Sequence, residues 1–250
     1  MSAIRRPRHA VYLLPNAFTT AALFAGFFAI LQAVQGNWQA AALAVVVAAV
    51  LDACDGRVAR WTGTQSSFGA EYDSLADVIS FGVAPALIMY QWSLMALGKI
   101  GLGAAFCYCA ATALRLARFN VQSGGDKRFF IGFPSPAAAI LSVSVVATID
   151  AVYGVDYIVS VGTAVLAILL AGTMVSGVLF YSFKDVNIKK RIPFRYVVFF
   201  FLAAAGVYQI ADNLMEVLSV LLGGYFASGY GILFWKKLIR KQATHPPRRE

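Results

Sequence analysis

Four aspartates stand at fixed spacing in the pattern Asp52-x2-Asp55-Gly56-x2-Ala59-Arg60-x8-Gly69-x3-Asp73-x3-Asp77. The chain of 250 residues has only 12 acidic side chains. Gathering four of them beside strongly apolar sequence costs desolvation and mutual repulsion, and charge kept at that cost is usually functional. Carboxylates are hard oxygen donors, which suits Mg2+ or Mn2+. Four of them, Asp52, Asp55, Asp73 and Asp77, can hold two divalent cations about 3.5–4 Å apart, an arrangement that grips both sides of a phosphoryl displacement. Gly56 and Ala59 leave room for a helix or a substrate to approach the backbone. Arg60 is placed to meet a phosphate by charge-assisted hydrogen bonds.

Helical spacing explains how such residues could converge. Asp52 and Asp55 are three apart, Asp73 and Asp77 four apart, so each pair shares one helix face. The segment Trp61–Tyr72 is polar and reads as a short turn between antiparallel helices, with Asp73 opening the second. Such a turn aims the two pairs at each other. Asp52 lies eight residues before Arg60, roughly 12 Å from that helix end. The centre is therefore expected near headgroup level.

The supporting elements are membrane helices. The chain is 60% hydrophobic and 13% charged, with a mean hydropathy of +0.70. A soluble domain carries about 25% charged residues. The expected fold is an all-α polytopic membrane protein of about eight transmembrane helices. The apolar runs are Asn16–Val34, Trp38–Arg60, Asp73–Leu97, Ile100–Val121, Pro134–Tyr153, Tyr157–Phe183, Phe194–Asp212 and Leu214–Trp235. In domain terms, an interfacial segment 1–15 precedes a catalytic membrane domain 16–183. Two additional helices, 184–235, and a basic tail, 236–250, follow.

Charge sets the expected orientation. With a cytosolic N-terminus, every basic residue but Lys99, of 21, falls on the cytosolic side. That agrees with the positive-inside rule and puts both termini in the cytosol. The net charge of +9 is thus a membrane-facing surface suited to anionic headgroups and phosphate-bearing substrates. No soluble nucleic-acid module accompanies it. Arg5-Arg6-Pro7-Arg8 before apolar sequence mimics a signal peptide, but the run has full spanning length and lacks a small-x-small cleavage site. Cys54, Cys107 and Cys109 show no disulfide or metal pattern, and both histidines, His9 and His245, lie in polar tails. This argues against zinc and against a Ser-His or Cys-His nucleophile.

The eight fixed positions from Asp52 to Asp77 resemble, one for one, the signature of the CDP-alcohol phosphotransferase family. The resemblance implies a six-helix core, two metal ions, and transfer of a phosphatidyl group from a CDP-linked lipid to an alcohol with release of CMP. It implies metal ligation by Asp52, Asp55 and Asp73, with Asp77 contacting the second metal and acting as general base. It assigns CDP binding to Gly56, Ala59, Arg60 and Gly69, with Ser66 and Ser67 nearby, and it implies a homodimer. Membrane lipids and CDP-diacylglycerol are the implied partners, in the cell's inner (cytoplasmic) membrane with the site facing the cytosol.

Further stretches resemble the bacterial branch that uses L-serine. These are Pro15-Asn16 with Thr19, Arg115-Leu116-Ala117-Arg118-Phe119-Asn120, and Gly132-Phe133-Pro134-Ser135-Pro136-Ala137. Arg118 could hold a carboxylate, while Asn16 or Asn120 could bond an amine or phosphate. Arg115, Lys127 and Arg128 are further acceptor candidates. Each basic residue could instead be a cytosolic anchor, Asn16 a helix N-cap, and Pro134 and Pro136 helix starters. The residues alone leave glycerol 3-phosphate or inositol phosphate open as acceptors. An ion- or proton-translocating cluster is the rival outside this chemistry, though the later helices offer few acidic groups for a path.

Overall fold

The computed structural model describes residues 9–64, 66–121, 129–181 and 213–243, with side chains for 16–64, 66–121, 132–178 and 213–229. Helix α1 spans His9–Val34 and α2 Trp38–Thr62. The two helices pack along one another, and their buried residues are mostly small, including Ala22, Ala25, Ala29 and Ala33 on α1 and Ala41, Ala44 and Ala48 on α2. In lipid, where burial of apolar surface drives little, small side chains let backbones pack closely. Helix α1 runs through Pro15 and Asn16, so Asn16 sits inside a helix rather than capping one.

Helix α3 spans Ser67–Trp92 and contains a π-helical stretch, Val78–Val83. A 3-10 turn, Leu94–Leu97, leads to α4, Lys99–Val121. Helices α5, Ser135–Val152, and α6, Tyr157–Val175, follow, and α7 is Leu214–Ala243. The spans Asn16–Val34, Ser67–Trp92, Lys99–Val121, Ser135–Val152 and Tyr157–Val175 are long and apolar enough to cross a bilayer. Leu214–Gly229 is a shorter apolar stretch. Large side chains such as Phe24, Ile100, Phe106 and Ile158 are more than half exposed, as lipid-facing residues are. This is a helical, multi-pass membrane protein.

Several boundaries differ from the sequence expectation: α1 starts at His9, α2 runs on to Thr62 and α7 to Ala243, and three more bear on the site and its support. The third helix begins at Ser67, not Asp73, because the Ser66 hydroxyl accepts the Gly69 amide (3.0 Å) and caps it. The polar segment Trp61–Tyr72 is thus mostly helix, and Asp73 lies inside α3 instead of opening it. The third helix also ends at Trp92, before the 3-10 turn. The sixth run stops at Val175, where Ser176 turns to an extended backbone. Beyond it, β2, Leu179–Tyr181, pairs antiparallel with β1, Phe129–Ile131. This short ribbon is the one departure from an all-helical plan among the described residues. The run Phe194–Asp212 and the loop Lys184–Arg195 lie outside the described residues.

The ribbon delivers the chain to α5 through Gly132. Its φ of +80° is open to glycine, and a Cβ there would strike the Met174 carbonyl oxygen. The Gly132 amide donates to the Val178 carbonyl at 2.8 Å. Pro134 then caps α5 and Pro136 sits in its first turn, as prolines that start a helix do. Helix α7 packs on α5, with the rings of Tyr225 (tilted) and Phe226 (edge-on) against the fully buried Phe133.

The π-helical stretch begins directly after Asp77. A widened turn disturbs the regular backbone ladder and leaves carbonyls that need partners. Tyr108, fully buried on α4, donates its hydroxyl to the Phe81 carbonyl at 3.2 Å. The Ser80 hydroxyl donates to the Ala22 carbonyl at 3.1 Å. The irregular turn is thereby pinned to α1 and α4. At the opposite end of the bundle, the Trp92 indole donates to Asp150 (2.9 Å) and the Gln39 amide to the Ala147 carbonyl (2.8 Å).

Candidate active site

Helix α2 ends at Gly63, whose φ of +64° gives the left-handed cap that stops a helix without a Cβ penalty. The chain reverses within residues 63–66, so the last turns of α2 face the first turns of α3. One carboxylate oxygen from each of Asp52, Asp55 and Asp73 lies within 4.8 Å of the others. Asp73 interacts with both Asp52 and Asp55, and Asp77, one turn deeper, with Asp52. All four converge, as helical spacing requires.

Carboxylates this close repel unless a proton or a cation stands between them. The donor set is all hard oxygen, and opposite ligands of one octahedral Mg2+ lie roughly 4.2 Å apart. The cluster therefore fits a divalent cation with little movement. Buried Asp55, 5% exposed, is also fixed from α1: the Thr19 hydroxyl donates to its Oδ2 at 2.8 Å. Such outer hydrogen bonds orient a metal-binding carboxylate. Thr19 was quoted in the sequence only as part of a resemblance. Its role depends on how α1 crosses α2, which spacing does not reveal.

A cavity of about 450 Å³ opens onto Asp55 and Asp73. Its walls include Gly56, Ala59, Arg60, Ser66 and Gly69, five of the six residues expected to bind the CDP part. Ser67 is the first residue of α3 and does not line it. Arg60 lies within electrostatic range of Asp55. Nothing but the Arg60 Nη1, 3.6 Å away, would meet a Cβ added at Gly56. The glycine therefore leaves open space rather than serving protein packing. Asn16, expected on the acceptor side, lines this same cavity, with its Oδ1 beside Gly69. Thr64 and Phe119 line it as well; Phe119 was quoted in the sequence only as part of a resemblance, and neither was given a role.

The other acceptor candidates separate. Arg115 donates from Nη1 to the Ser135 hydroxyl at 2.9 Å and lies within electrostatic range of Asp77. Asn120 exchanges hydrogen bonds with Ser74, which sits between Asp73 and Asp77 on α3 (2.9 and 3.3 Å). Arg118 is exposed and donates to the Val175 carbonyl at the end of α6 (3.3 Å). Lys127 and Arg128 lie outside the described residues.

Residues 12–175, which hold the whole cluster and its cavity, match the family model for CDP-alcohol phosphatidyltransferase. The chain belongs to the CDP-alcohol phosphatidyltransferase family. Among curated relatives, a CDP-diacylglycerol–serine O-phosphatidyltransferase of Helicobacter pylori is 38% identical over 236 residues, 94% of this chain and 96% of its own. An archaetidylserine synthase of Methanothermobacter thermautotrophicus is 35% identical over 168 residues, 66% of this chain and 68% of its own. A CDP-diacylglycerol–serine O-phosphatidyltransferase of Mycobacterium leprae is 39% identical over 155 residues, 59% of this chain and 51% of its own.

Proposed function

We propose that this chain transfers the phosphatidyl group of CDP-diacylglycerol to the hydroxyl of L-serine, forming phosphatidylserine and CMP. The observation that carries the reading is the cavity between α2 and α3, which joins the expected CDP-binding residues to two of the clustered aspartates. The Helicobacter pylori relative, similar along nearly its whole length, supports serine as acceptor.

Asp52, Asp55, Asp73 and Asp77 would hold two divalent cations, Mg2+ or Mn2+. Bound there, these cations would neutralise the pyrophosphate and the departing CMP phosphate. Arg60 and the amide-rich start of α3, which lines the same cavity, favour phosphate at its mouth. Asp77 takes the proton from the serine hydroxyl as its oxygen bonds to the β-phosphorus, and the bond from that phosphorus to CMP breaks. Arg115 receives the serine carboxylate near Asp77, and Asn120 steadies Ser74 between the two aspartates of α3.

The placement of basic residues supports a cytosol-facing site in the inner membrane, where acyl chains stay in lipid and the nucleotide in water. The catalytic unit is 16–183, flanked by an interfacial 1–15, helices within 184–235 and the tail 236–250. A homodimer follows from the family resemblance. The test is CMP release by purified protein given CDP-diacylglycerol and Mg2+ or Mn2+, with serine, glycerol 3-phosphate or inositol phosphate in separate reactions. Release with serine is expected. Release only with a phosphorylated acceptor would overturn the serine assignment, and ion flux without CMP release would overturn the enzyme reading.

A further inference from the structure

Helix α7 lies outside the family match, yet it reaches the acceptor side of the centre. Tyr225 packs on Phe133 with ring centroids 5.7 Å apart, and Phe226 meets the same ring edge-on at 5.2 Å. Phe133 belongs to the turn Gly132-Phe133-Pro134-Ser135, whose Ser135 hydroxyl holds Arg115. Helix α7 therefore braces, through these two ring contacts, the loop that positions the guanidinium.

Two more observations concern Arg115 itself. Tyr225 and Asp77 both lie within electrostatic range of it. Its Nε is buried and has no hydrogen-bond partner among the described residues. A buried guanidinium donor left unmatched is costly, and an anionic group of the acceptor would satisfy it. That donor stands in the neighbourhood of the carboxylate proposed to take the acceptor's proton.

We propose that Tyr225 is a positioning residue of the acceptor site, acting through Arg115. Its ring braces the Ser135 loop, and its phenol helps set the guanidinium so that the Nε edge meets the serine carboxylate. The last helix thus contributes to acceptor choice although the family domain ends before it. This rests on the serine reading above.

The test is steady-state kinetics on the full-length protein carrying Tyr225→Phe, Arg115→Lys, or both. Tyr225→Phe is expected to raise the KM for L-serine roughly tenfold, the scale of losing one polar neighbour of a charged group. The KM for CDP-diacylglycerol and the Mn2+ dependence should stay within about twofold, as uniform binding to the acceptor alone is lost. With L-serinamide, which lacks the carboxylate, the variant should behave like the parent. In the double variant the two effects should be less than additive, because both act on one guanidinium. An unchanged serine KM in Tyr225→Phe, or full additivity, would overturn the role of Tyr225 while leaving the serine reading intact. A parent enzyme that uses only a phosphorylated acceptor would overturn both.

Discussion

Thr19 on α1 donates a 2.8 Å hydrogen bond to Asp55 on α2. The bond occupies one carboxylate oxygen and leaves the other for a cation. Replacing Thr19 with Val keeps the shape and removes the donor. Outer hydrogen bonds of this kind are worth about 10- to 100-fold in metal affinity or activity. Thr19→Val is therefore expected to raise the Mg2+ or Mn2+ concentration for half-maximal CMP release by that order, with maximal rate partly recovered at high metal. An unaltered metal dependence would show that Asp55 needs no such partner.

Asp77 sits one turn beyond Asp73 on α3 and interacts with Asp52. As general base it should contribute about 10²- to 10⁴-fold to the rate. Asp77→Asn is expected to lower CMP release by that order while CDP-diacylglycerol still binds, measured by protection against thermal unfolding. Full turnover in this variant would remove Asp77 from the chemistry.

Gly56 separates packing from substrate contact. Within a helix, Gly to Ala gains about 0.5–1 kcal/mol of stability, and here only Arg60 would touch the new methyl. Gly56→Ala should thus unfold at an equal or higher temperature while its KM for CDP-diacylglycerol rises. A stable variant with parental KM would show that no ligand passes this wall.

Ser66 offers the complementary case, because it caps α3 through Gly69 and also lines the cavity. Ser66→Ala should cost about 1 kcal/mol of stability through the lost cap. A lowered unfolding temperature with weaker CDP-diacylglycerol binding is expected. Loss of neither would mean that the Gly69 amide finds another acceptor at no cost.

The four aspartates were legible because three- and four-residue spacing fixes a helix face whatever the surroundings. The turn between α2 and α3 was legible in kind but too long. Ser66 capping pulls Ser67–Tyr72 into the helix, a gain the polar composition of that segment hides. Asn16 was read as a contact for the acceptor or a phosphate; that its Oδ1 comes beside Gly69 depends on how α1 packs on α3, which spacing does not show. Arg115 and Arg118 are three residues apart and read alike in sequence. Only tertiary packing shows one held by Ser135 within the field of Asp77 and the other spent on the Val175 carbonyl. The π-helical stretch after Asp77 had a signal that was passed over: Pro85 has no N–H to give the Phe81 carbonyl four residues earlier. That Tyr108 on α4 takes up this carbonyl is visible only in the packing.

The compactness of the α2–α3 turn bears on the order in which the molecule is made. Every carboxylate of the centre lies between Asp52 and Asp77, and Thr19 precedes them. Closing so short a segment costs little chain entropy, and contacts close in sequence form early. Once the first three helices have entered the membrane, the full set of acidic ligands can assemble before α4 has been synthesised. A nascent chain of this length would already repel itself at its acidic end, and capture of a cation at that stage would lock α2 against α3. Helix α4 then brings Arg115 within electrostatic range of Asp77.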